Sequence, residues 1–286
     1  MKKLTNIKNV KEIISKHGFK FSKGLGQNFI INETVCPKMA QAACSDGADG
    51  VIEIGPGIGT LTVELAKTFK KVVAVEIDSR LIPVLGENLS EFENVEVINA
   101  DVLKTNLNEI IDTKFKGCSK VAVCANLPYY ITSEIIMYIL ESEFEKIENI
   151  VVMVQKEAAQ RICAMPGTRT AGTISLGVRY FGEPEILFNV SKGCFIPSPK
   201  VDSSVIKIKP NREFSMKVKD KKMFFKVVRA AYAQRRKTLL NSLSSGLGLS
   251  KEYLSDVIRE TGLDISLRAE NLSFEQFVML SNQLAI

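Results

Sequence analysis

The sequence lacks tryptophan altogether and has one histidine, His17, among its 286 residues. Its six cysteines are scattered along the chain, and no two of them form a C-x-x-C pair. Structural zinc sites and disulfide frameworks need closely spaced ligands or cysteines, so neither is expected and no metal is predicted. Acid or base catalysis by histidine is disfavoured as well, because the chain offers a single candidate.

Long apolar runs are also missing. No stretch approaches the roughly 20 residues that span a bilayer, and the first ten residues, MKKLTNIKNV, lack the apolar segment of a signal peptide. We therefore expect a cytoplasmic protein with no membrane partner. The sequence does contain 45% apolar residues, which is enough for the core of one large domain and a small second one.

The formal net charge of +6 is small, but the charge is unevenly placed. Residues 200–237 carry thirteen lysines and arginines against three acids, and residues 1–23 carry seven lysines against one acid. The remainder of the chain is therefore acidic. A basic segment often forms only a solvated surface. Two basic segments that flank an acidic middle nevertheless favour a polyanionic partner, and nucleic acid is the usual one.

Short β-rich runs alternate with helical stretches between Gly50 and Val154. The runs are VIEI, VVAVEID, VEVIN, VAVCA and IVVMV. Continuous apolar strands separated by helices are typical of a parallel, doubly wound α/β sheet that is buried on both faces. Two further strands, EILFNV and VDSSVIKI, flank the loop GCFIPSPK and are expected to form a hairpin that closes the edge of the sheet.

Beyond Pro210 the pattern turns helical, in FFKVVRAAYAQRRKTLLNSL, EYLSDVIRET and FEQFVMLSNQL. The sequence therefore predicts three parts: a basic arm at 1–23, an α/β domain at 24–209 and a small all-α domain at 210–286. The last part contains most of the denser basic segment, so it is the part expected to contact nucleic acid.

Three glycines at alternate positions follow the first β-rich run, in VIEIGPGIGTLT. Gly55, Gly57 and Gly59 let the backbone approach a ligand where a strand turns into a helix, and the first N–H groups of that helix favour a nucleotide-like ligand. The NAD fingerprint G-x-G-x-x-G would need glycine at Thr60, so this spacing disfavours NAD. Glycine is also common in tight turns that bind no ligand, so the loop alone is weak evidence for a binding site.

Acidic residues follow the next two strands. Glu76 lies in VVAVEID, where an α/β fold places a carboxylate to accept hydrogen bonds from the two hydroxyls of a ribose. Asp101 follows VEVIN, where a carboxylate can receive the exocyclic amine of an adenine. Either acid alone can also be a solvated strand end or a helix N-cap. Together with the glycine loop, these successive strand ends indicate an adenosine site.

These residues resemble those of class I methyltransferases that bind S-adenosylmethionine. ANLPYY, residues 125–130, resembles the [D/N/S]-P-P-[Y/F] signature of amino-group methyltransferases in its N-L-P-Y form. From Lys23 to Phe277 the chain resembles the KsgA (RsmA) family of ribosomal RNA adenine dimethyltransferases, with Ile30 where leucine is usual. The matching blocks, in family order, are KGLGQNFI, ANLPYY, MVQKEAAQRI, GCFIPSPKVDSSV, RRKTLLNSL and RAENLSFEQF.

The resemblance implies a Rossmann-like domain with a mostly parallel seven-stranded sheet, a small C-terminal all-α domain and S-adenosylmethionine as the cofactor. It also implies that ANLPYY holds an adenine whose N6 faces a sulfonium methyl group. Asn126 Oδ1 and the carbonyl of Leu127 are expected to accept the two N6 hydrogens, which orients the nitrogen lone pair. Pro128 is expected to stiffen the turn, Tyr129 to stack on the base and Phe195 to stack on its other face.

Each of these assignments has a purely structural alternative. The corner at Asn126 can be a buried tyrosine corner with a satisfied amide, and a phenylalanine in an apolar loop such as Phe195 is by default part of the core. No general base is expected, because an amide cannot take a proton. Tyr130 is assigned to packing. By resemblance, Asn28 and Ile30 in LGQNFI belong to a flap that contacts the methionine part of the cofactor, which Asn126 also helps to bind.

RNA phosphates are expected to lie along a basic helix, because phosphate contacts position an RNA without reading its sequence. The side chains in question are Arg229, Arg235, Arg236 and Lys237. The lysines of the N-terminal arm either add to this surface or are disordered.

The resemblance implies a monomer that dimethylates two adjacent adenosines in the 3′-terminal hairpin loop of 16S rRNA, within a pre-30S particle, during ribosome biogenesis. An Erm-type enzyme acting on 23S rRNA is the nearest rival, since it shares the methyltransferase half. The blocks RRKTLLNSL and RAENLSFEQF favour the KsgA family over Erm. A ribosome assembly factor on a methyltransferase scaffold is a second rival. A small-molecule methyltransferase is a third rival, although the high positive charge of residues 200–237 disfavours it.

Overall fold

The computed structural model describes residues 3–18, 26–142 and 146–285. Contacts within the chain divide it into two compact units. The first comprises Met1–Ala159 and Glu185–Pro210, and the second comprises Gln160–Pro184 and Asn211–Ile286. Most of the β-structure lies in the first unit, and the second is mainly helical.

The strands are β1 (Phe29–Ile30), β2 (Gly50–Ile54), β3 (Lys71–Glu76), β4 (Val95–Asn99), β5 (Val121–Asn126), β6 (Ile147–Gln155), β7 (Gly182–Val190), β8 (Phe195–Ile196) and β9 (Ser203–Pro210). Seven of them form one sheet in the order β4-β3-β2-β5-β6-β9-β7, and β1 pairs with β8. β2, β3, β4, β5 and β6 pair in parallel, and β9 runs antiparallel to β6. The predicted mostly parallel seven-stranded sheet is therefore confirmed, with β7 and β9 adjacent at its edge.

The helices are α1 (Ile7–Lys16), α2 (Val35–Cys44), α3 (Thr60–Thr68), α4 (Ile82–Asn88), α5 (Leu107–Lys114), α6 (Thr132–Glu141), α7 (Lys156–Ile162), α8 (Thr173–Phe181), α9 (Lys221–Tyr232), α10 (Leu239–Leu247), α11 (Lys251–Glu260) and α12 (Phe274–Leu284). None of the helices in the described ranges combines the length and apolar character needed to cross a membrane.

The central strands are mainly apolar because the sheet is covered on both faces. Val51 and Ile52 are neighbours in β2 whose side chains point to opposite faces, and both are fully buried. On the face of Val51, the apolar side chains of α2 and α3 form one core cluster with those of β3, β5, β6 and β9. This burial fixes the strands that carry the candidate site at their carboxyl ends.

The described part of the N-terminal arm is helical. Asn6 caps the N-terminus of α1 by accepting a hydrogen bond from Lys8 N at 2.9 Å. Leu4, Val10 and Ile13 are buried and pack in an apolar cluster of the first unit. Residues 1–2 and 19–23 of the predicted arm lie outside the described residues.

The second unit includes residues 160–184, which the sequence-based division at residue 209 places in the α/β domain. The reason is aromatic packing between α8 and α9. Tyr180 lies 5.4 Å from Phe224 and 5.1 Å from Phe225, measured between ring centroids, and Phe181 stacks on Phe225 at 6.1 Å. The predicted domain roles stay a prediction.

The prediction that the four basic residues lie on one helix is wrong in one respect. α9 ends at Tyr232, and α10 begins only after Thr238, whose side chain accepts from Asn241 N at 3.4 Å as its N-cap. The intervening residues form a turn, in which Lys237 N donates to Gln234 O at 2.9 Å. Arg229 therefore lies on a helix, whereas the other three basic residues lie in the turn; all four are exposed. They are Arg229, Arg235, Arg236 and Lys237.

Candidate active site

One pocket lies at the carboxyl ends of β2, β3 and β5. It is lined by residues 26–30, by the glycine loop at 55–58, by Glu76 and Ile77, and by residues 126–129. The pocket therefore brings together most of the predicted site residues. They are Asn28, Ile30, Gly55, Gly57, Glu76, Asn126, Leu127, Pro128 and Tyr129.

The glycine loop has the backbone conformation that only glycine adopts readily. Gly55, Gly57 and Gly59 have φ angles of 68°, 61° and 92°. A Cβ at Gly55 would meet no heavy atom within 4 Å, so the loop borders open space, whereas a Cβ at Gly57 would lie 3.0 Å from a ring atom of Phe29. Gly59 is the N-cap of α3 and provides no side-chain cap. No N-cap side chain therefore bonds to the first N–H groups of α3.

Glu76 is the last residue of β3, and it is almost fully buried. Its Oε2 accepts a hydrogen bond from Gly57 N at 3.1 Å, and its Oε1 accepts one from Asp78 N at 2.8 Å. Burial raises the pKa of this carboxyl above its ordinary value, while these backbone N–H groups oppose the shift. Because each carboxylate oxygen has two lone pairs, each can accept one further bond from a ribose hydroxyl.

Glu53 is a second buried acid at the pocket, and it is not among the predicted site residues. It is 1% exposed, and its Oε2 has no hydrogen-bond partner among the described residues. Burial raises its pKa to about 8, and the nearby charge of Glu76 adds to the shift. The sequence feature that could have indicated this residue is a single carboxylate inside the otherwise apolar strand VIEI.

The turn that follows β5 is held by hydrogen bonds to β6 and to the start of α6. Leu127 N donates to Met153 O in β6 at 3.2 Å, and Pro128 O accepts from Thr132 Oγ1 at 3.1 Å where α6 begins. Asn126 Nδ2 donates to the backbone oxygen of Asn28 at 3.0 Å. Because Nδ2 is the donor in that bond, the orientation of the Asn126 amide is fixed, and so is the position of its acceptor Oδ1.

Two adjacent tyrosines follow this corner, and their environments differ. Tyr129 lines the pocket, and its hydroxyl lies 2.7 Å from Ser203 Oγ. Burial raises the pKa of Tyr129, so the phenol is neutral at physiological pH. Tyr130 is 60% exposed, but two of its ring carbons would lie 3.4 Å from a Cβ at Gly26, so its assignment to packing stays a prediction.

The segment before β1 forms the described part of the predicted flap. Gln27 Nε2 donates to Asp78 Oδ2 at 2.9 Å, and Asn28 Nδ2 donates to the backbone oxygen of Gly26 at 3.0 Å. Ile30 lines the pocket and also belongs to the core. Residues 23–25 of the matching block KGLGQNFI lie outside the described residues.

Two residues predicted to contact the cofactor or the target base, Asp101 and Phe195, do not line the pocket. Asp101 is the N-cap of a short 3-10 turn, where its Oδ1 accepts from Leu103 N at 3.1 Å. Phe195 is 3% exposed and packs in the same core cluster as Ile30 and Val205. Their expected contacts with the two adenines stay predictions.

The four basic residues belong to the second unit. Arg235 Nη2 donates to the backbone oxygen of Arg169 at 2.7 Å and lies 3.8 Å from Glu270 Oε2. Part of its donor capacity is therefore used within that unit. In the part of the chain that the structure describes, no group of three or more His, Cys, Asp or Glu side chains is arranged to hold a metal ion.

A mostly parallel sheet, a glycine loop leading into a helix N-terminus and a buried carboxylate after the next strand define a class I methyltransferase dependent on S-adenosylmethionine. The cofactor fits the residues present. The open space beside Gly55 admits it, and the two oxygens of Glu76 supply acceptors for its ribose.

Comparison with known proteins gives the family. The family model described as Ribosomal RNA adenine dimethylase matches residues 18–285. A relative from Bacillus cytotoxicus, named Ribosomal RNA small subunit methyltransferase A, is 46% identical over 99% of this chain and 98% of its own length. The protein of the same name from Bacillus mycoides is 44% identical over 100% and 99%. The chain belongs to the ribosomal RNA adenine dimethylase family and is an rRNA methyltransferase dependent on S-adenosylmethionine.

Two solved structures are similar over most of the chain. A dimethyladenosine transferase from Plasmodium falciparum is 26% identical with a TM-score of 0.71, over 88% of this chain and 95% of that one. The 23S rRNA methyltransferase ErmE is 25% identical with a TM-score of 0.67, over 91% and 100%. Both similarities agree with a class I fold.

Proposed function

We propose that this chain transfers methyl groups from S-adenosylmethionine to N6 of two adjacent adenosines in the 3′-terminal hairpin loop of 16S rRNA. The product is N6,N6-dimethyladenosine, made in the cytoplasm by a monomer acting on a pre-30S particle. The observation that carries this proposal is the identity of 46% with a small subunit methyltransferase over 98% of that relative's length, which includes the helical C-terminal region.

A 23S rRNA target is the second candidate, because ErmE has a similar fold over 91% of this chain. Its identity is 25%, well below the 44–46% shared with the proteins named small subunit methyltransferases. The small subunit is therefore the better-supported substrate.

The corner at residues 126–129 has the chemistry that an exocyclic amine requires. The cofactor would supply an electrophilic methyl group on a sulfonium, whose sulfur leaves as a neutral thioether when N6 bonds to the methyl carbon. Asn126 Oδ1, oriented by the bond from its Nδ2 to Asn28 O at 3.0 Å, accepts one N6 hydrogen, and Leu127 O accepts the other. Accepting both hydrogens turns the nitrogen lone pair out of conjugation and toward the methyl group.

Tyr129 holds the base in place while this happens. Stacking of a base on an aromatic ring contributes about 1–3 kcal/mol, which helps to offset the cost of taking the adenosine out of its loop. Phe195 is proposed as the second stacking face, which requires its ring to leave the core cluster in which it packs. Asp101 is proposed to receive the exocyclic amine of the cofactor through an oxygen not used in capping the 3-10 turn.

Proton release needs no dedicated base. Asn126 cannot accept a proton, and the phenol of Tyr129 is neutral with a raised pKa. Methylation makes N6 strongly acidic, so the displaced proton is released to water. Positioning and exclusion of solvent are therefore the main contributions of the chain.

RNA phosphates are proposed to contact the exposed basic residues of the second unit. Replacing Arg235 and Arg236 with alanine removes two positive charges, so RNA binding should weaken and become less dependent on salt. A matched control replaces Lys251 and Arg259, two exposed cations on α11 of the same unit. Equal effects of the two double variants would mean that net charge, and not this turn, governs binding.

The decisive experiment is methyl transfer from labelled S-adenosylmethionine to immature 30S subunits from a strain that lacks the modification, with 50S subunits in parallel. Nucleoside analysis should show dimethyladenosine in 16S rRNA alone, and Asn126→Ala should abolish it. Label in 23S rRNA would instead support the Erm-type alternative. Tight 30S binding without label would support an assembly factor on a methyltransferase scaffold.

A further inference from the structure

The hydroxyl of Tyr129 has a defined partner far away in the sequence. It lies 2.7 Å from Ser203 Oγ, across a sequence separation of 74 residues. Ser203 is fully buried and is the first residue of β9. It falls in the block GCFIPSPKVDSSV, which resembles the family, but it is not among the predicted site residues.

The sheet holds Ser203 in a fixed place. Its Cα is paired with that of Gln155 at the end of β6, and the adjoining backbone bond from Lys156 N to Asp202 O measures 3.0 Å. The same strand β6 provides Met153 O, which accepts from Leu127 N just before the tyrosine. Tyr129 is thus tied to this part of the sheet at both ends, by the backbone that precedes it and by the tip of its ring.

We infer that Ser203 is a positioning residue for methyl transfer, which holds the ring of Tyr129 in the orientation that stacks on the target adenine. This inference rests on the proposed function, because it assigns the pocket face of Tyr129 to a substrate base. A hydrogen bond at the ring tip restricts rotation about the Cα–Cβ bond. The stacking face is then already in place when the base arrives, and less conformational entropy is lost on binding.

The adjacent residue provides a matched control. Ser204 is also fully buried, and its Oγ donates to Asn189 Oδ1 at 2.8 Å. Consecutive residues of a strand face opposite sides of the sheet, so Ser204 points away from Tyr129. Ser203→Ala and Ser204→Ala each remove one buried hydroxyl and one hydrogen bond, but only the first of these bonds leads to the pocket.

The test measures steady-state methyl transfer to immature 30S subunits by the full-length chain, together with its thermal unfolding. Ser203→Ala should lower kcat/KM for 30S subunits by about three- to tenfold, the effect expected for one hydrogen bond. The KM for S-adenosylmethionine should stay within about twofold of wild type, because Ser203 does not line the cofactor pocket. Ser204→Ala should lower the unfolding temperature comparably and leave kcat/KM for 30S subunits unchanged.

Tyr129→Phe removes the same hydrogen bond from the other side and keeps the inference testable if Ser203→Ala fails to fold. It should reproduce the loss in kcat/KM, and combining it with Ser203→Ala should cause no further loss. Equal activity of Ser203→Ala and Ser204→Ala, or wild-type activity of Tyr129→Phe, would overturn the inference and leave the proposed function standing. A wild-type protein inactive on 30S subunits would overturn both.

Discussion

Replacing Glu53 with glutamine should make the protein more stable at alkaline pH. Glu53 is 1% exposed, and burial raises the pKa of its carboxyl from 4.5 to about 8. Between these two pH values the unfolded chain has an ionised Glu53, whereas the folded chain keeps it protonated. The folded state therefore binds more protons, and the contribution of Glu53 to stability falls as the pH rises through this window.

The magnitude follows from the size of the shift. Each pH unit within the window changes the free energy of unfolding by about 1.36 kcal/mol, so about 4 kcal/mol is lost between pH 5 and pH 8. Glutamine has nearly the same shape and does not titrate. The difference in stability between Glu53→Gln and wild type should therefore grow by about 4 kcal/mol in favour of the variant over this range.

The assay is urea unfolding of both proteins at pH 5, 6, 7 and 8, without cofactor. Glu96→Gln is the control. Lys114 and Lys71 hold the pKa of Glu96 below its ordinary value, so Glu96 is ionised in the folded and unfolded states from about pH 6 to pH 8. Its stability difference from wild type should stay constant there. A pH-independent difference for Glu53→Gln as well would refute the assignment of a protonated carboxyl at the pocket.

Three further predictions concern the cofactor, a buried ion pair and a helix contact. Glu76→Gln should weaken S-adenosylmethionine binding by about tenfold to a hundredfold. The affinity of the wild type, measured by calorimetry, should fall as the pH is lowered toward the raised pKa of Glu76, whereas the affinity of the variant should not change with pH. Asp46→Asn leaves Lys207, which is 5% exposed, without its carboxylate, and should cost about 3 kcal/mol in urea unfolding at pH 7. Because the pKa of Asp46 is lowered in the folded state, this loss should begin to shrink as the pH falls below the unfolded value of 3.8 and should vanish only below the lowered folded value. Gly246→Ala should destabilise the protein by about 1–3 kcal/mol, since the new Cβ would lie 2.5 Å from a side chain of α9. Gly86→Ala is the control and should not destabilise the protein, because its Cβ would meet open space.

Local sequence features predicted much of the first unit correctly. Apolar, β-branched runs marked the strands, and the glycines at alternate positions marked the loop that borders the pocket. These signals succeed because strand propensity and left-handed backbone conformations depend on a residue and its near neighbours. The same holds for Glu76 and Asn126, which lie where parallel strands end.

The errors arise where packing between distant segments overrides a local pattern. The helical pattern continued through Arg235 and Arg236, but the N-cap at Thr238 starts a new helix there. The division at residue 209 placed residues 160–184 in the α/β domain, but Tyr180 and Phe181 pack on phenylalanines of α9 in the second unit. The first outcome has a local signal in the N-cap residue Thr238, whereas the second depends on which surfaces meet.

The class of sheet, the glycine loop and the order of the motifs can be predicted from the sequence, because each is encoded within a few consecutive residues. Folding of the whole chain is needed to place β9 between β6 and β7, residues 160–184 in the helical unit and Ser203 beside Tyr129. The physical reason is that such contacts depend on strand register and on the burial of side chains far apart in the chain. No periodicity within a single segment carries that information.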